Sequence, residues 1–253
     1  MTAKSLHATI PGMCAHLSAI YQRANALTTP RHERFEFLFL ACGDIQRRYR
    51  KQQAHFYGVA IAQAFAWFIS LGEDLFRTDC GHLLALAMAE KYPHAGCGYC
   101  HHSPCVCDAI ERDDFAGTEA RDNTQQEWSL RRWQEHLSEL YGEANAKKGV
   151  NVALNRLFEE VSEVGLVLQH ADGFNESLPR IEEKAALEMT DVLAWIFGVA
   201  SLLAVDVETE VMRLYRSGCP VCKLMPCGCS HFAAKPKSKG LTHRFMTADE
   251  IAG

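Results

Sequence analysis

The strongest constraint on this 253-residue chain is that it repeats itself. The stretch His16-Leu-Ser-Ala-Ile-Tyr-Gln-Arg-Ala-Asn-Ala26 returns as His136-Leu-Ser-Glu-Leu-Tyr-Gly-Glu-Ala-Asn-Ala146, identical at seven of eleven positions. Arg34 and Gly43 recur as Arg156 and Gly165, the Ala66-Trp67 pair recurs as Ala194-Trp195, and both halves end in the same cysteine spacing. Whatever fold one half adopts, the other shares. Residues 1–107 form the first unit and 127–229 the second. The polar, acidic segment 108–126 reads as a linker, and 230–253 as a flexible, solvated tail. Each unit reads as a helix, a second helix, a long apolar third helix, a shorter fourth helix and a cysteine-bearing hairpin. The fold class is all-α.

Eight of the eleven cysteines make up the repeated arrays: Cys97, Cys100, Cys105, Cys107 and Cys219, Cys222, Cys227, Cys229. Each array is C-x-x-C, four residues, then C-x-C. Four thiols within a compact turn containing Gly and Pro match a closed tetrahedral Zn²⁺ site of structural type. Zinc is favoured over disulfides because Met1 to Pro11 carries no secretory signal and the expected cytoplasmic location is reducing. An iron–sulfur cluster is the lesser alternative. His101, His102 and His231 lie nearby but are not needed as ligands. Cys14, Cys42 and Cys80 read as small core residues.

The second half carries a further pattern. From Ala185 to Ala204 nearly every helical face is apolar, which marks a buried helix, yet Glu188 and Asp191 sit in it one turn apart. Buried carboxylates are costly unless they are paired or bound to a metal. The preceding helix carries Glu159, Glu160 and Glu163 beside the apolar stripe Leu157, Val161, Val164 and Leu168. Hard oxygen ligands without histidine favour Mg²⁺ or Mn²⁺.

Glu159-Glu160-Val-Ser-Glu163 followed, after a break at Asp172, Gly173 and Pro179, by Glu188-Met-Thr-Asp191 resembles the Glu-Glu-x-x-Glu and Glu-x-x-Asp pattern of the MazG-like all-α nucleoside triphosphate pyrophosphohydrolases. The resemblance implies that Glu160, Glu163, Glu188 and Asp191 hold Mg²⁺ (or Mn²⁺); beyond it, we take Glu159 and Glu160 as the catalytic carboxylates, with Glu159 flanking the ligands to orient the water or a ligand. The resemblance further implies hydrolysis of a nucleoside triphosphate to a monophosphate and pyrophosphate. Because such proteins pair, it also implies that the two tandem bundles pack as an intrachain pseudo-dimer, with a homodimer of these as a further assembly. The competing expectation is a non-catalytic, zinc-stabilised interaction or regulatory module on the same scaffold.

Aligning the halves places Phe37, Leu38 and Ala41 where the second has Glu159, Glu160 and Glu163. Ala60 and Gln63 likewise stand for Glu188 and Asp191. The first half therefore reads as a degenerate copy. Its Arg47-Arg48-Tyr-Arg50-Lys51 run reads as a solvated helix end in preference to a phosphate contact across the halves. Trp67 and Trp195 read as core residues. A net charge of −5 argues against a nucleic-acid partner. The longest apolar runs, 59–71 and 192–205, are shorter than a bilayer span, so no membrane partner is expected.

Overall fold

The computed structural model describes residues 8–76, 79–107, 123–172, 178–229 and 248–252. Among these residues the chain is all-helical, and the only extended pairing is an isolated bridge between Thr9 and Ser129. Helices α1 (Ile10–Thr28), α2 (Arg31–Arg50), α3 (Tyr57–Leu75) and α4 (Cys80–Lys91) make up the first half. Helices α5 (Leu130–Lys148), α6 (Val150–Asp172), α7 (Leu178–Leu202) and α8 (Val207–Tyr215) make up the second. Each half thus has the four helices expected, followed by its cysteine hairpin.

Local chemistry sets the ends. Thr9 and Ser129, at equivalent positions, cap α1 and α5 by accepting the N–H groups of Gly12 and Arg132. Asp79 and Asp206 cap α4 and α8 in the same way. Pro179 falls in the first turn of α7, where its missing N–H costs nothing.

The halves share one core. Within each, the second and third helices pack as a hairpin, α2 on α3 and α6 on α7. Between them, α3 packs on α7 and α2 on α6, so equivalent helices meet. The fourth helices cross over: α4 packs on α7, and α8 on α3. Helical segments 54–75 and 181–202 are long and apolar enough to cross a membrane, but more than half of each is buried by the other helices, as in core helices of a globular fold.

The cysteine hairpins are exchanged as well. The Cys105 N–H donates to the Leu140 carbonyl on α5 (2.8 Å), and the Cys227 N–H to the Ile20 carbonyl on α1 (2.7 Å). Leu140 and Ile20 occupy the same place in the repeated stretch. Its histidine and tyrosine serve the same docking. His16 Nε2 lies 2.9 Å from the Tyr215 carbonyl and His136 Nε2 3.2 Å from the Tyr92 carbonyl, each at the end of the other half's fourth helix. Tyr21 meets Tyr215 edge-on, as Tyr141 meets Tyr92. The repeated stretch is therefore the receptor for the opposite half's hairpin, a role its sequence alone did not reveal.

Three expectations need correction. The expected linker 108–126 is ordered at its end: a short 3₁₀ helix spans Asn123–Glu127, and Gln125 is buried there between the Tyr92 carbonyl and the His94 N–H. Residues 108–122 lie outside those described. The tail is not solvated at its end, where helix α9 (Ala248–Ala252) packs against α3 with Ala248 fully buried. Residues 230–247 are likewise outside those described. The basic run is only partly a solvated helix end: Arg50 and Lys51 are exposed as expected, but Arg48 is not. Arg48 is 2% exposed, bound to Asp44 and gripped by both oxygens of Asp249 at 2.7 and 2.6 Å, with its guanidinium over the Phe56 ring. A buried guanidinium needs such partners, and these two carboxylates fix the C-terminal helix to α2. Cys14, Cys42 and Cys80 are buried as expected.

Candidate metal centre and cleft

Helices α6 and α7 are the most closely associated pair in the second half, and their contact sets the acidic residues face to face. Glu160 and Glu163, one turn apart on α6, converge with Glu188 on α7, one oxygen of each lying within 4.8 Å of the others. Burial, then the charges of Asp191 and Glu163, push the Glu160 carboxyl up to about 7. Burial, then Glu163 and Asp191, also raise Glu188. Like charges held this close without a counter-ion disfavour ionisation, and a divalent cation would relieve that. The donor set is all carboxylate, with Glu160 and Glu188 half-buried and Glu163 exposed, which suits a hard cation.

The other two acids sit differently. Asp191 does not join the three-glutamate cluster. Its carboxylate is ion-paired with Lys91 and accepts the Tyr92 O–H at 2.6 Å, and Lys91 and Asp191 are 16% and 18% exposed. Both partners come from the end of α4, so the first half supplies the cation that neutralises an acid of the second. Burial and the adjacent Asp191 raise the Tyr92 phenol well above its ordinary value, keeping it a donor. Glu159 is half exposed and ion-paired with Arg156 on its own helix. It flanks the cluster without entering it.

Beside the carboxylates lies a cleft of about 620 Å³ reached by Glu160, Asp191, Lys91 and Arg156. Asn145 and Trp195 also line it, so Trp195 is not the pure core residue its apolar helix suggested. The first half explains why. There, Trp67 packs against Phe37 with ring centroids 4.6 Å apart, whereas position 159 offers Trp195 no ring. Asn25 donates to the Ser70 hydroxyl at 2.7 Å, whereas Asn145 faces Gly198, which has none. Arg34 is buried and bonded to the Thr29 and Ser70 carbonyls, whereas its counterpart Arg156 lines the cleft. Two paired substitutions and one differently placed arginine distinguish the filled space of the first half from the cavity of the second.

Each cysteine array brings its four thiols within 4.8 Å of one another. Cys97 and Cys107 sulfurs are 3.6 Å apart and Cys100 and Cys105 3.8 Å; in the second array Cys219–Cys229 and Cys222–Cys227 repeat those distances. A tetrahedron with Zn–S bonds of about 2.3 Å has edges of about 3.8 Å, whereas a disulfide needs about 2.05 Å. The arrays could hold zinc, and all eight cysteines are free. At Cys100 and Cys222, the same position in each array, burial acts upward, but backbone N–H donors and neighbouring thiols bring the thiol down to about 6, toward the ligating thiolate form. The Tyr141 O–H donates to the Cys97 sulfur from the opposite half. Gly96 and Gly218 open the two hairpins at φ +147° and +112°. A Cβ at either would lie within 3 Å of a hairpin carbonyl oxygen, so only glycine fits.

Set against protein families, characterised proteins and solved structures, the chain matches none. Lys91, Tyr92, Tyr99, Asn145 and Trp195 were missed by sequence reasoning as cleft residues. The one signal that could have found the latter pair was the loss of their packing partners between halves, Phe37 to Glu159 and Ser70 to Gly198.

Proposed function

We propose that the chain is a divalent-metal-dependent nucleoside triphosphate pyrophosphohydrolase, built as a MazG-like pseudo-dimer with one active site. The observation that carries this reading is the convergence of Glu160, Glu163 and Glu188 beside a cleft, in a half whose counterpart has Leu38, Ala41 and Ala60 at those positions. The fold is built without these acids in one half, so the second half holds them for another reason. The exchange of fourth helices and hairpins supports the pseudo-dimer.

Mg²⁺ or Mn²⁺ bound by Glu160, Glu163 and Glu188 would neutralise phosphate oxygens and acidify a water. Asp191 would complete the ligand set once Lys91 turns from it toward the phosphates, and Arg156 lines the same cleft. Water attacks the α-phosphorus, the bond to the bridging oxygen breaks, and pyrophosphate leaves. Glu160 would take the proton of that water, a bound cation holding its carboxylate ionised against the upward push it feels in the cluster alone. Glu159 orients the water or a ligand from the flank.

The test is pyrophosphate release from a panel of canonical and modified nucleoside triphosphates with Mg²⁺ or Mn²⁺ and an EDTA control. Metal-dependent release that disappears in the Glu160→Gln, Glu163→Gln double variant supports the reading. Unchanged release in that variant overturns the site. The competing non-catalytic module draws support from one observation, that Asp191 already has partners in Lys91 and Tyr92. No release from any nucleotide by folded, zinc-loaded protein would favour it.

A further inference from the structure

The two cysteine hairpins dock in equivalent ways but meet different surroundings. The first, carried by the degenerate half, packs on α5 and forms a wall of the cleft through Cys97, Tyr99, Cys105 and Cys107. The second packs on α1, and none of its residues lines that cleft. They also differ in the residue inside the C-x-x-C turn: Cys97-Gly-Tyr99-Cys100 against Cys219-Pro-Val221-Cys222. Tyr99 and Val221 occupy the same place and are similarly exposed, 40% and 44%. An exposed aromatic therefore stands only where the hairpin borders the cleft, and an aliphatic residue stands where it does not.

The same lining includes Trp195, the tryptophan deprived of its packing partner, and Asn145, which faces Gly198. It also includes Glu160 and Asp191, with the cations Lys91 and Arg156. One cavity thus brings together carboxylates, cations and aromatic side chains. We propose that Tyr99, held out by the first cysteine hairpin, and Trp195 form an aromatic subsite that takes the planar base of the nucleotide, with the Asn145 amide placed to read a base edge. This rests on the nucleotide reading above. It gives the degenerate half a positive task, since Tyr99 is a base-binding residue delivered to the other half's site. Stacking suits such a role because every base offers a π-face, and the amide offers one donor group and one acceptor.

The test uses the full-length, zinc-loaded protein and calorimetric titration with Mg²⁺ and the non-hydrolysable α,β-imido deoxynucleoside triphosphates. Inorganic tripolyphosphate serves as a ligand with phosphates but no base. Tyr99→Val installs the residue the second hairpin already uses at this place, so the hairpin should fold and zinc content should stay at the wild-type value. The expected result is nucleotide affinity weakened about tenfold or more, with tripolyphosphate affinity within about twofold of wild type, as loss of a stacking platform requires. Tyr99→Phe should restore nucleotide binding to within about threefold, and Val221→Tyr should change nothing. Nucleotide binding by Tyr99→Val within about twofold of wild type would overturn the subsite, as would an equal loss for nucleotide and tripolyphosphate. Wild-type protein that binds every nucleotide no better than tripolyphosphate would also overturn it, while leaving the metal and phosphate reading intact. Binding of neither ligand would bring down that reading and the subsite together.

Discussion

The halves agree where they hold each other and differ where the cleft opens. His16 and His136, Tyr21 and Tyr141, Thr9 and Ser129, and the two cysteine arrays do equivalent work on both sides of the molecule. Leu38 and Glu160, Ala60 and Glu188, Ser70 and Gly198 do not. What recurs is the clamp, and what departs is the chemistry. A duplicated chain keeps both copies of whatever the shared core needs, because α4 and α8 each pack on the third helix of the other half. It needs only one copy of a site. In the first half the equivalent space is filled by Arg34, the Phe37–Trp67 pair and the Asn25–Ser70 bond, and filled space stabilises better than a cavity lined with acids.

The sharpest way to break this comparison is to make the second half resemble the first. In the triple variant Glu160→Leu, Glu163→Ala, Glu188→Ala, pyrophosphate release should fall on the order of 10³-fold or more, because a bound metal supplies several kcal/mol of transition-state stabilisation at about 1.36 kcal/mol per tenfold. The metal-free variant should melt higher than metal-free wild type by a few degrees, at about 2–4 °C per kcal/mol for a chain of this size. The rise follows from removing three mutually repelling carboxylates, two of them half-buried. A lower melting temperature together with retained activity would show that the acids are structural and the comparison misread.

Zinc removal tests the shared part. Cys105→Ser with Cys107→Ser, and separately Cys227→Ser with Cys229→Ser, should each remove one zinc per chain and lower the melting temperature by similar amounts. Loss of a ligand held at a thousandfold over its dissociation constant costs about 4 kcal/mol, which is on the order of 10 °C here. Similar losses are expected because both hairpins dock through the same backbone bond to the opposite first helix. Metal analysis and calorimetric melting would check this. A large loss from one array and none from the other would mean the docking is symmetric in geometry alone.

The α-helical class, the four-helix order of each half and both thiol clusters were legible in the sequence, since periodicity and repetition are local signals. Cys97 to Cys107 could be read as one site because its ligands lie within eleven residues. The carboxylates were half legible: spacing put Glu160 and Glu163 on one face, but the ion pair of Asp191 with Lys91 joins residues one hundred positions apart. No periodicity announces a contact between halves. The same limit hid the burial of Arg48, whose partner Asp249 lies in a segment that composition marks as solvated. Trp195 was misread because an apolar helix normally buries its tryptophan; here Glu159 stands where the first half has Phe37, so the ring lacks that packing partner.

Lys91 is where the halves touch electrostatically. Lys91→Met leaves Asp191 without its cation, so metal-free protein should lose about 1–3 kcal/mol, discounted for partial exposure from the 3–5 kcal/mol of a fully buried pair. Saturating Mg²⁺ should recover most of that loss by giving Asp191 a new cation, so the melting shift on adding Mg²⁺ should be larger in the variant than in wild type. An equal shift would show that Asp191 takes no part in metal binding and that its role ends at the α4–α7 contact.

The smallest effect concerns the docking histidine of the second half. His136 is almost fully buried, facing Trp128, Trp133, His94, Arg132 and Glu139, with its Nε2 on the Tyr92 carbonyl. Burial lowers its pKa, outweighing the carbonyl contact that acts the other way, and the Arg132 charge adds to the lowering. The unfolded chain therefore binds this proton at a higher pH than the folded one. Stability contributed by neutral His136 is complete above its unfolded value of about 6.5 and is lost as pH falls through the window below it. Zinc release in acid adds to the loss in wild type and variant alike, so the informative quantity is the difference between them. His136→Gln preserves a side-chain donor for the Tyr92 carbonyl and removes the titration. The gap between wild-type and His136→Gln unfolding free energies, from denaturant melts at pH 7.5 and 5.5, should narrow or change sign at the lower pH. A gap that stays constant would place the contact of the Tyr92 carbonyl with α5 outside the control of this proton.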